Sequence, residues 1–154
     1  MRIFSAEDNL DAVKAVLQKY LPGVITQINT DRNDNLTLTS VSSNDYFYNP
    51  REAANSDIYI ILEYSINSTT GRNTKVGMEM QIDIFLGFMI PNLTDTQAFR
   101  LACRYQGALY EALRKGADEI SYDVKYNATQ QGKVSMGNRE LYGVMWTITI
   151  PVTL

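Results

Sequence analysis

Residues 76–90 read VGMEMQIDIFLGFMI, and this stretch decides the fold. Apolar side chains occupy every second position, which is the spacing of one face of a β-strand. They are Val76, Met78, Met80, Ile82, Ile84, Leu86, Phe88 and Ile90. The opposite face starts polar at Glu79 and becomes apolar at Phe85 and Met89. The pattern therefore predicts one long strand with a buried face and a second face that is covered in part.

An amphipathic helix is predicted directly after this strand. Pro91 interrupts the strand, Thr94 is a suitable N-cap, and Asp95 suits the positive end of a helix. The spacing of the apolar residues predicts a helix over 95–115 that ends at Gly116. Its predicted core stripe consists of Phe99, Ala102, Leu109, Ala112 and Leu113.

Two further strands close the chain in this interpretation. Alternation predicts strands over 119–127 and 139–154, joined by a polar loop over 128–138. Pro151 has no N–H to donate, so the end of the last strand is expected at a sheet edge.

The N-terminal half is predicted to hold one helix and three strands. A helix over 5–21 ends at Pro22, and strands over 24–30 and 35–41 form a hairpin. A third strand over 58–66 precedes the long one. The whole order is α-β-β-β-β-α-β-β, an α+β fold with an antiparallel or mixed sheet of about six strands and two main helices. We expect a single domain over residues 1–154.

Composition argues against an enzyme. The chain has no histidine, and its one cysteine is Cys103, so the commonest general base, the commonest zinc ligand and any internal disulfide are missing. A net charge of −3 argues against tight DNA binding, which normally shows a basic patch. Because no apolar run approaches 18 residues, we expect no membrane span, and we expect no signal peptide and no cofactor.

A small-molecule binding module or enzyme remains an alternative at this point. Its candidate acids are the carboxylates of Glu63, Glu79 and Asp83, of which Glu79 and Asp83 share one strand face. Such a function requires a pocket with convergent polar groups.

Four charged residues of the predicted 95–115 helix fall within one outward sector at 100° per residue. They are Arg100, Arg104, Glu111 and Lys115. They form either a solvated face with paired charges or a face that lines a channel or meets a partner. The basic charges are too few for a nucleic-acid groove on one subunit, but a ring would multiply them.

Two apolar groups lie outside the predicted core stripes. Tyr46, Phe47 and Tyr48 stand in the polar loop over 42–57, where packing of the loop is favoured over stacking on a ligand. Hydrophobic residues on the second strand faces are covered either by a helix of the same chain or by another subunit. The candidates for subunit contact are Phe85, Met89, Met145, Tyr59 and Ile61.

The order of elements resembles the tail terminator family of long-tailed bacteriophages and the neighbouring head–tail completion proteins. The resemblance rests on an opening helix, the long strand over 76–90 and the break PNLTD. It continues through the helix DTQAFRLACRYQGALYEALR and a closing hairpin that ends YGVMWTITIPVTL. As a pattern it covers most of the chain.

This resemblance implies a structural virion protein without catalytic activity. Proteins of this kind form homohexameric rings that cap the tail tube, stop its polymerisation and join it to the neck. The implied partners are the tail tube or sheath protein and a neck or connector protein, and DNA passes through the lumen without sequence-specific binding. Localisation in the virion, after assembly in the bacterial host cytoplasm, is implied as well.

The loops would then dock the partners. The loops over 42–57, 67–75 and 128–138 are the expected docking elements. Their candidate docking residues are Tyr46, Phe47, Tyr48, Arg72 and Lys133.

Another head–tail completion, stopper or collar protein, or the cap of a phage-derived contractile particle, is the alternative within the same resemblance. If the second-face residues are subunit contacts, Phe85→Asp is expected to weaken assembly while the monomer stays folded.

Overall fold

The computed structural model describes residues 5–53, 55–70, 76–90, 92–121, 123–136 and 139–152. Two long helices and a sheet make up most of this part of the chain. In chain order the elements are α1 (Ala6–Arg32), β1 (Tyr46–Phe47), a 3-10 turn (Pro50–Ala53), β2 (Ile58–Thr70), β3 (Val76–Met89), α2 (Asp95–Lys115), α3 (Ala117–Ile120), β4 (Lys125–Met136) and β5 (Arg139–Val152).

The strands form one mixed sheet in the order β1-β2-β3-β5-β4. β1 runs parallel to β2, and every other neighbouring pair is antiparallel. The α+β class, the mixed sheet and the two main helices are therefore confirmed, and the described residues form five strands. The order of elements differs from the predicted one only before β2 and around β4.

The main core lies between one face of the sheet and the two long helices. The predicted stripe of β3 is buried there from Met80 to Phe88, and Met80, Ile82 and Ile84 are fully inaccessible. Leu17 of α1 and Leu109 of α2 belong to the same core and are equally inaccessible. Burial of each such side chain contributes about 1.5–3 kcal/mol, so this layer accounts for the position of both helices.

The first helix is longer than the sequence predicted. α1 continues through Pro22 to Arg32, so residues 24–30 are helical and the predicted strand there is wrong. An interior proline costs about 3 kcal/mol because it lacks an N–H and its ring crowds the preceding turn. Val24 and Ile25, beyond the proline, are both buried against the core, and this burial outweighs the local cost.

The predicted strand over 35–41 is not part of the sheet, so the predicted hairpin is wrong. Side chains of the helices bind its backbone instead. The amide of Asn29 donates to the carbonyl of Leu38 at 3.0 Å and accepts from the N–H of Leu38 at 2.8 Å. The hydroxyl of Tyr105 accepts from the N–H of Thr39 at 2.8 Å and donates to its carbonyl at 3.1 Å. The alternating pattern arises because one side of this segment faces the core, although none of the described strands pairs with it.

Gly23→Ala is expected to raise the free energy of unfolding by about 0.5–1 kcal/mol, because alanine loses less backbone entropy than glycine in a helix interior. Gly23 lies inside α1, and a Cβ added there meets nothing within 4 Å. Denaturant unfolding followed by the fluorescence of Trp146, the single tryptophan, measures the change. A loss of stability would contradict the open space around Gly23.

α2 has the predicted bounds and the predicted cap. The hydroxyl of Thr94 accepts from the N–H of Gln97 at 3.2 Å, and the Gln97 side chain accepts from the N–H of Thr94 at 3.0 Å. This reciprocal pair satisfies two N–H groups that a helix start leaves open. The predicted core stripe is correct except at Phe99, which is exposed because it lies beside the buried face of α2 rather than within it.

β4 differs from the prediction at both ends. Residues 117–120 form α3, the strand begins at Lys125, and it continues through the predicted loop to Met136. β4 is an edge strand, so its polar side chains reach solvent while β5 supplies the ladder. β5 as a whole lies between β3 and β4, so it is not an edge strand. Its end at Pro151 lies beyond Lys125, the first residue of β4, and has no described partner on that side, in agreement with the edge position expected for a residue without an N–H.

Candidate interaction surfaces

The sheet face away from the helices is covered at one end by the chain itself. A small buried group, here called the second-face cluster, consists of Ala53, Tyr59, Ile61 and Leu141. Ala53 belongs to the 3-10 turn, so this turn and not a helix provides the cover. Tyr59 and Ile61 are therefore closed to another subunit in this structure, which corrects the expectation of subunit contact at these two residues.

Phe85, Met89 and Met145 keep part of their surface open on the same face. Phe85 and Met89 also pack against the second-face cluster, and Phe85 lies opposite Met145 in the β3–β5 ladder. A Cβ added at Gly143 would meet the ring of Phe85 at 2.4 Å, so this ring lies directly on the glycine. Phe85→Asp would remove packing within the chain, and it does not isolate assembly in the way the sequence suggested.

The three aromatic residues over 46–48 point to different surroundings. Tyr46 is buried in the main core, and Phe47 packs against the second-face cluster. Tyr48 is exposed, and its hydroxyl donates to a carboxylate oxygen of Asp11 at 2.9 Å. Partial burial and the bond to Asp11 raise the pKa of Tyr48 to about 12. The three residues anchor their segment to its own domain, in agreement with the favoured packing interpretation.

The four charged residues of α2 do not share one outward face. Arg100 and Lys115 are exposed, as expected. Arg104 is buried, with only 6% of its side chain accessible, because the segment after α1 packs over it. Glu111 is held by Arg114, whose guanidinium donates to its two oxygens at 3.1 and 2.6 Å. The expected lumen or partner face therefore retains Arg100, Glu111 and Lys115 and is wrong for Arg104.

Arg104 forms a bidentate ion pair with Asp34. Its two terminal nitrogens donate to the two oxygens of Asp34 at 2.9 and 2.5 Å, and one of them also donates to the carbonyl of Leu36 at 2.5 Å. Hydrogen bonding from Arg104, assisted by the N–H of Leu36, lowers the pKa of Asp34 from 3.8 to about 2. This pair holds the end of α1 and the following segment against α2.

Asp34→Asn is expected to remove part of the acid sensitivity of the fold. Because the folded-state pKa of Asp34 is depressed, its stabilising contribution is present above pH 3.8 and is lost as the pH falls through about 2. The stability difference between wild type and variant should therefore shrink over that window. Urea unfolding between pH 7 and pH 2.5 measures it, with Asp118→Asn at an exposed carboxylate as the control. A difference that is independent of pH would contradict the ion pair.

A shallow cleft of about 330 Å³ opens beside this pair. It is lined by Arg32, Asp34, Arg100, Cys103 and Arg104. Asp34 neutralises Arg104, so the exposed Arg32 and Arg100 give the cleft a net positive charge in an acidic chain. Such a site suits an oxyanion, and its one lining carboxylate, Asp34, is bonded to Arg104. The sequence analysis missed Arg32 and Asp34, because it placed them in a hairpin turn rather than at the end of a helix.

The expected docking loops are mostly strand. Residues 67–70 belong to β2 and residues 128–136 belong to β4, whereas the described part of the segment over 42–57 is largely irregular. Residues 71–75 and 137–138 of the expected loops lie outside the described residues. Lys133 forms an exposed ion pair with Asp95, the first residue of α2, at 3.0 Å. Arg72 lies outside the described residues.

Exposed apolar side chains that the sequence analysis missed lie at the two edges of the sheet. Tyr64 and Ile66 of β2 are 51% and 37% exposed. Tyr110 of α2 is 37% exposed, and its ring lies 5.3 Å from that of Tyr126 and 5.2 Å from that of Trp146. The sequence analysis missed Tyr64 and Ile66 because the regular alternation of β2 predicted that both are buried. The helices leave Tyr64 and Ile66 at the β2 edge partly uncovered, whereas Tyr110 of α2 packs on Tyr126 at the β4 edge.

The candidate carboxylates do not meet in a pocket. Glu63 and Asp83 are opposite each other in the β2–β3 ladder, and Glu79 lies further along the same face. Asp83 accepts a hydrogen bond from the hydroxyl of Thr147 at 2.7 Å. Within the part of the chain that the structure describes, no group of three or more His, Cys, Asp or Glu is placed to hold a metal ion.

The described helices include none that is long and apolar enough to cross a membrane. The sequence matches no protein-family model, and no curated protein matches it significantly.

Proposed function

We propose that this chain is a structural subunit of the tail–neck junction of a long-tailed phage, and specifically a tail terminator. It forms a homohexameric ring that caps the tail tube, stops its polymerisation and joins it to the neck. Its partners are the tube or sheath protein and a neck or connector protein. The chain acts in the virion, without catalysis, after assembly in the host cytoplasm.

The observation that carries this proposal is the packing of residues 76–152 as one unit. β3, the break after it, α2 and the β4–β5 hairpin follow one another in the order on which the resemblance rests. α2 lies on this hairpin, where the indole N–H of Trp146 donates to the carbonyl of Gln106 at 2.8 Å. In a ring of this kind the surface of the unit, rather than a pocket, makes the contacts with tube and neck.

The electrostatic balance supports passage of DNA rather than capture. The chain has a net charge of −3, and Arg104 is occupied by Asp34 within the chain. A ring of such subunits presents mixed charge, so phosphates are not retained by a continuous basic groove.

Light scattering after size exclusion, with negative-stain imaging of the peak, tests the proposal. The expected result is a particle of roughly six times 17.4 kDa with ring views. Some assemblies form only on the tube end, so the second arm adds the protein to growing tail tubes of the encoding phage and measures tube length. A monomer that leaves tube growth unchanged would overturn the proposal.

Two related roles share the ring and differ in their partner. Another head–tail completion, stopper or collar protein binds the connector, and the cap of a phage-derived contractile particle binds a tube that carries no genome. Rings that bind purified connector but leave tube growth unchanged would favour the first role.

A small-molecule binding module is the alternative from a different class, and the cleft beside Arg104 is the observation that favours it. Titration with inorganic phosphate, followed by calorimetry, distinguishes the two. Saturable binding to a stable monomer, lost in Arg100→Ala, would favour the binding module over the ring.

A further inference from the structure

Each edge of the sheet includes a stretch of strand with no outer partner among the described strands. β1 pairs with β2 only at Ile60 and Ile61, so β2 from Leu62 onwards has no outer partner among the described strands. β4 pairs with β5 on its inner side and has no strand of the described residues on its outer side. Long open edges are normally shielded, because their free N–H and C=O groups pair with other chains.

Residues of the two edge strands lie on the same rungs of the sheet. Tyr64 of β2 is joined through Ile82 and Ile148 to Tyr126 of β4. The next rung joins Ser65 through Gln81 and Thr149 to Lys125. Because side chains alternate along a strand, Tyr64 and Tyr126 lie on the helix face, and Ser65 and Lys125 lie on the second face.

Apolar surface matches apolar surface on the helix face. Tyr64 and Ile66 project from the β2 edge with about half and a third of their surface exposed. At the β4 edge, Tyr126 and Tyr110 form an edge-to-face pair, and Tyr110 stacks on Trp146. If a second copy lay with its β4 against β2 of the first, Tyr64 of the first copy would face the Tyr126–Tyr110 pair of the second on the same rung.

Charge is complementary on the second face. Glu63 is exposed at the β2 edge and lies directly opposite Asp83, an arrangement of like charges that destabilises a strand pair. Lys125 is exposed at the β4 edge. When Lys125 of another copy lies opposite Ser65, it is diagonal to Glu63 and offsets this repulsion.

Strand direction allows this contact to repeat. β2, β3, β5 and β4 are antiparallel in turn, so the two edge strands run in opposite directions. Copies laid side by side in the same orientation therefore bring β4 of one against β2 of the next in antiparallel pairing. The contact joins two different surfaces, and such head-to-tail contacts form a ring when the rotation between successive copies closes.

We propose that Leu62–Ser65 of β2 pairs with Lys125–Ala128 of β4 in a neighbouring copy of this chain. The sheet then continues from subunit to subunit, with Tyr64 against the Tyr126–Tyr110 pair and Lys125 beside Glu63. This inference rests on the proposed function in one respect, that the chain assembles with itself into a ring.

Disulfide cross-linking tests the pairing directly. In a Cys103→Ser background, the double variant Ser65→Cys with Lys125→Cys is expected to give a ladder of covalent multimers on mild oxidation. Each single variant is expected to stay monomeric on a denaturing gel, and a mixture of the two is expected to stop at dimers. The double variants Glu63→Cys with Lys125→Cys and Asn67→Cys with Lys125→Cys test registers shifted by two residues in either direction. A shift by one residue is not tested, because it would place the facing side chains on opposite sides of the sheet.

The matched control places the second cysteine away from the edge. Thr96 follows Asp95, which pairs with Lys133 at the other end of β4, so Ser65→Cys with Thr96→Cys should give no ladder. Dimers from Ser65→Cys alone would overturn the head-to-tail arrangement. Rings seen by light scattering without any ladder would overturn the edge pairing and leave the proposed function standing. Monomers without a ladder that also leave tube growth unchanged would overturn both.

A surface variant supplies a second readout. Tyr64→Lys is expected to weaken self-association by roughly tenfold or more, as loss of a central tyrosine contact does in other interfaces. Phe99→Lys is the matched control, because Phe99 is 49% exposed and lies on α2 between Asp95 and Cys103, which contact Lys133 and Gln131 of β4 rather than the proposed stretch Lys125–Ala128. Equal association of the two variants would overturn the role of Tyr64, and unchanged thermal unfolding of both verifies that the monomer is intact.

Discussion

Gly116→Ala is expected to lower the free energy of unfolding by about 1–3 kcal/mol, the usual cost of forcing a methyl group into a packed site. A Cβ added at Gly116 would lie 2.3 and 2.8 Å from the two methyl carbons of Val16 and 3.0 Å from the ring of Tyr20. Val16 is buried and β-branched, so its methyl groups cannot turn away. The φ angle of Gly116 is −102°, which any residue adopts, and the cost is therefore steric.

The close approach at Gly116 brings α3 onto α1. The hydroxyl of Tyr20 donates to one oxygen of Glu119 at 2.8 Å, and the ammonium of Lys19 donates to the other at 3.0 Å. An alanine at Gly116 should separate these groups as well as strain the core.

The double variant Val16→Ala with Gly116→Ala identifies the cause. Val16→Ala alone should cost about 1.5–3 kcal/mol through lost burial. If the two side chains collide, the double variant should lose clearly less than the sum of the single losses. Simple additivity would contradict the collision, and Gly23→Ala is the control for a glycine in open space.

Leu109→Ala is expected to cost about 2–5 kcal/mol, because it leaves a cavity in a core that cannot collapse around it. Leu109 is fully inaccessible at the centre of the buried face of α2. Equilibrium unfolding in guanidinium, followed by both far-ultraviolet circular dichroism and Trp146 fluorescence, measures the loss.

Phe99→Ala is the matched control on the same helix. Phe99 is larger than Leu109 but about half exposed, so its loss should change the free energy of unfolding by no more than about 0.5 kcal/mol. Similar losses at the two positions would show that Phe99 is buried in solution, for example by another subunit.

The long strand and the second helix could be predicted because their local signals agree with their tertiary position. The alternation over 76–90 is the burial pattern of β3, and Thr94 with Gln97 forms the cap that starts α2. Where a local signal and a tertiary contact disagree, the contact prevails. Pro22 and Gly23 read as a helix end, yet burial of Val24 and Ile25 carries α1 past them.

The interaction surfaces were harder to predict, because a residue pattern does not say which neighbour covers a face. Tyr59 and Ile61 show as second-face hydrophobes in the sequence, but only the folded chain places Ala53 over them. Tyr64 and Ile66 have the same alternation as buried residues, but the helices stop short of them. Arg104 lies at an angle that predicts exposure, and the bond to Asp34, seventy positions away along the chain, buries it.

The sequence by itself determined the α+β class, the long strand over 76–90, the helix over 95–115 and the closing strand, because periodicity and capping act within a few residues. Only the tertiary structure decided the length of α1, the fate of residues 35–41, the pairing of Arg104 with Asp34 and the two open sheet edges. Each of these depends on groups that are distant in the chain, and the free energy of their contacts outweighs the local preference of the residues involved.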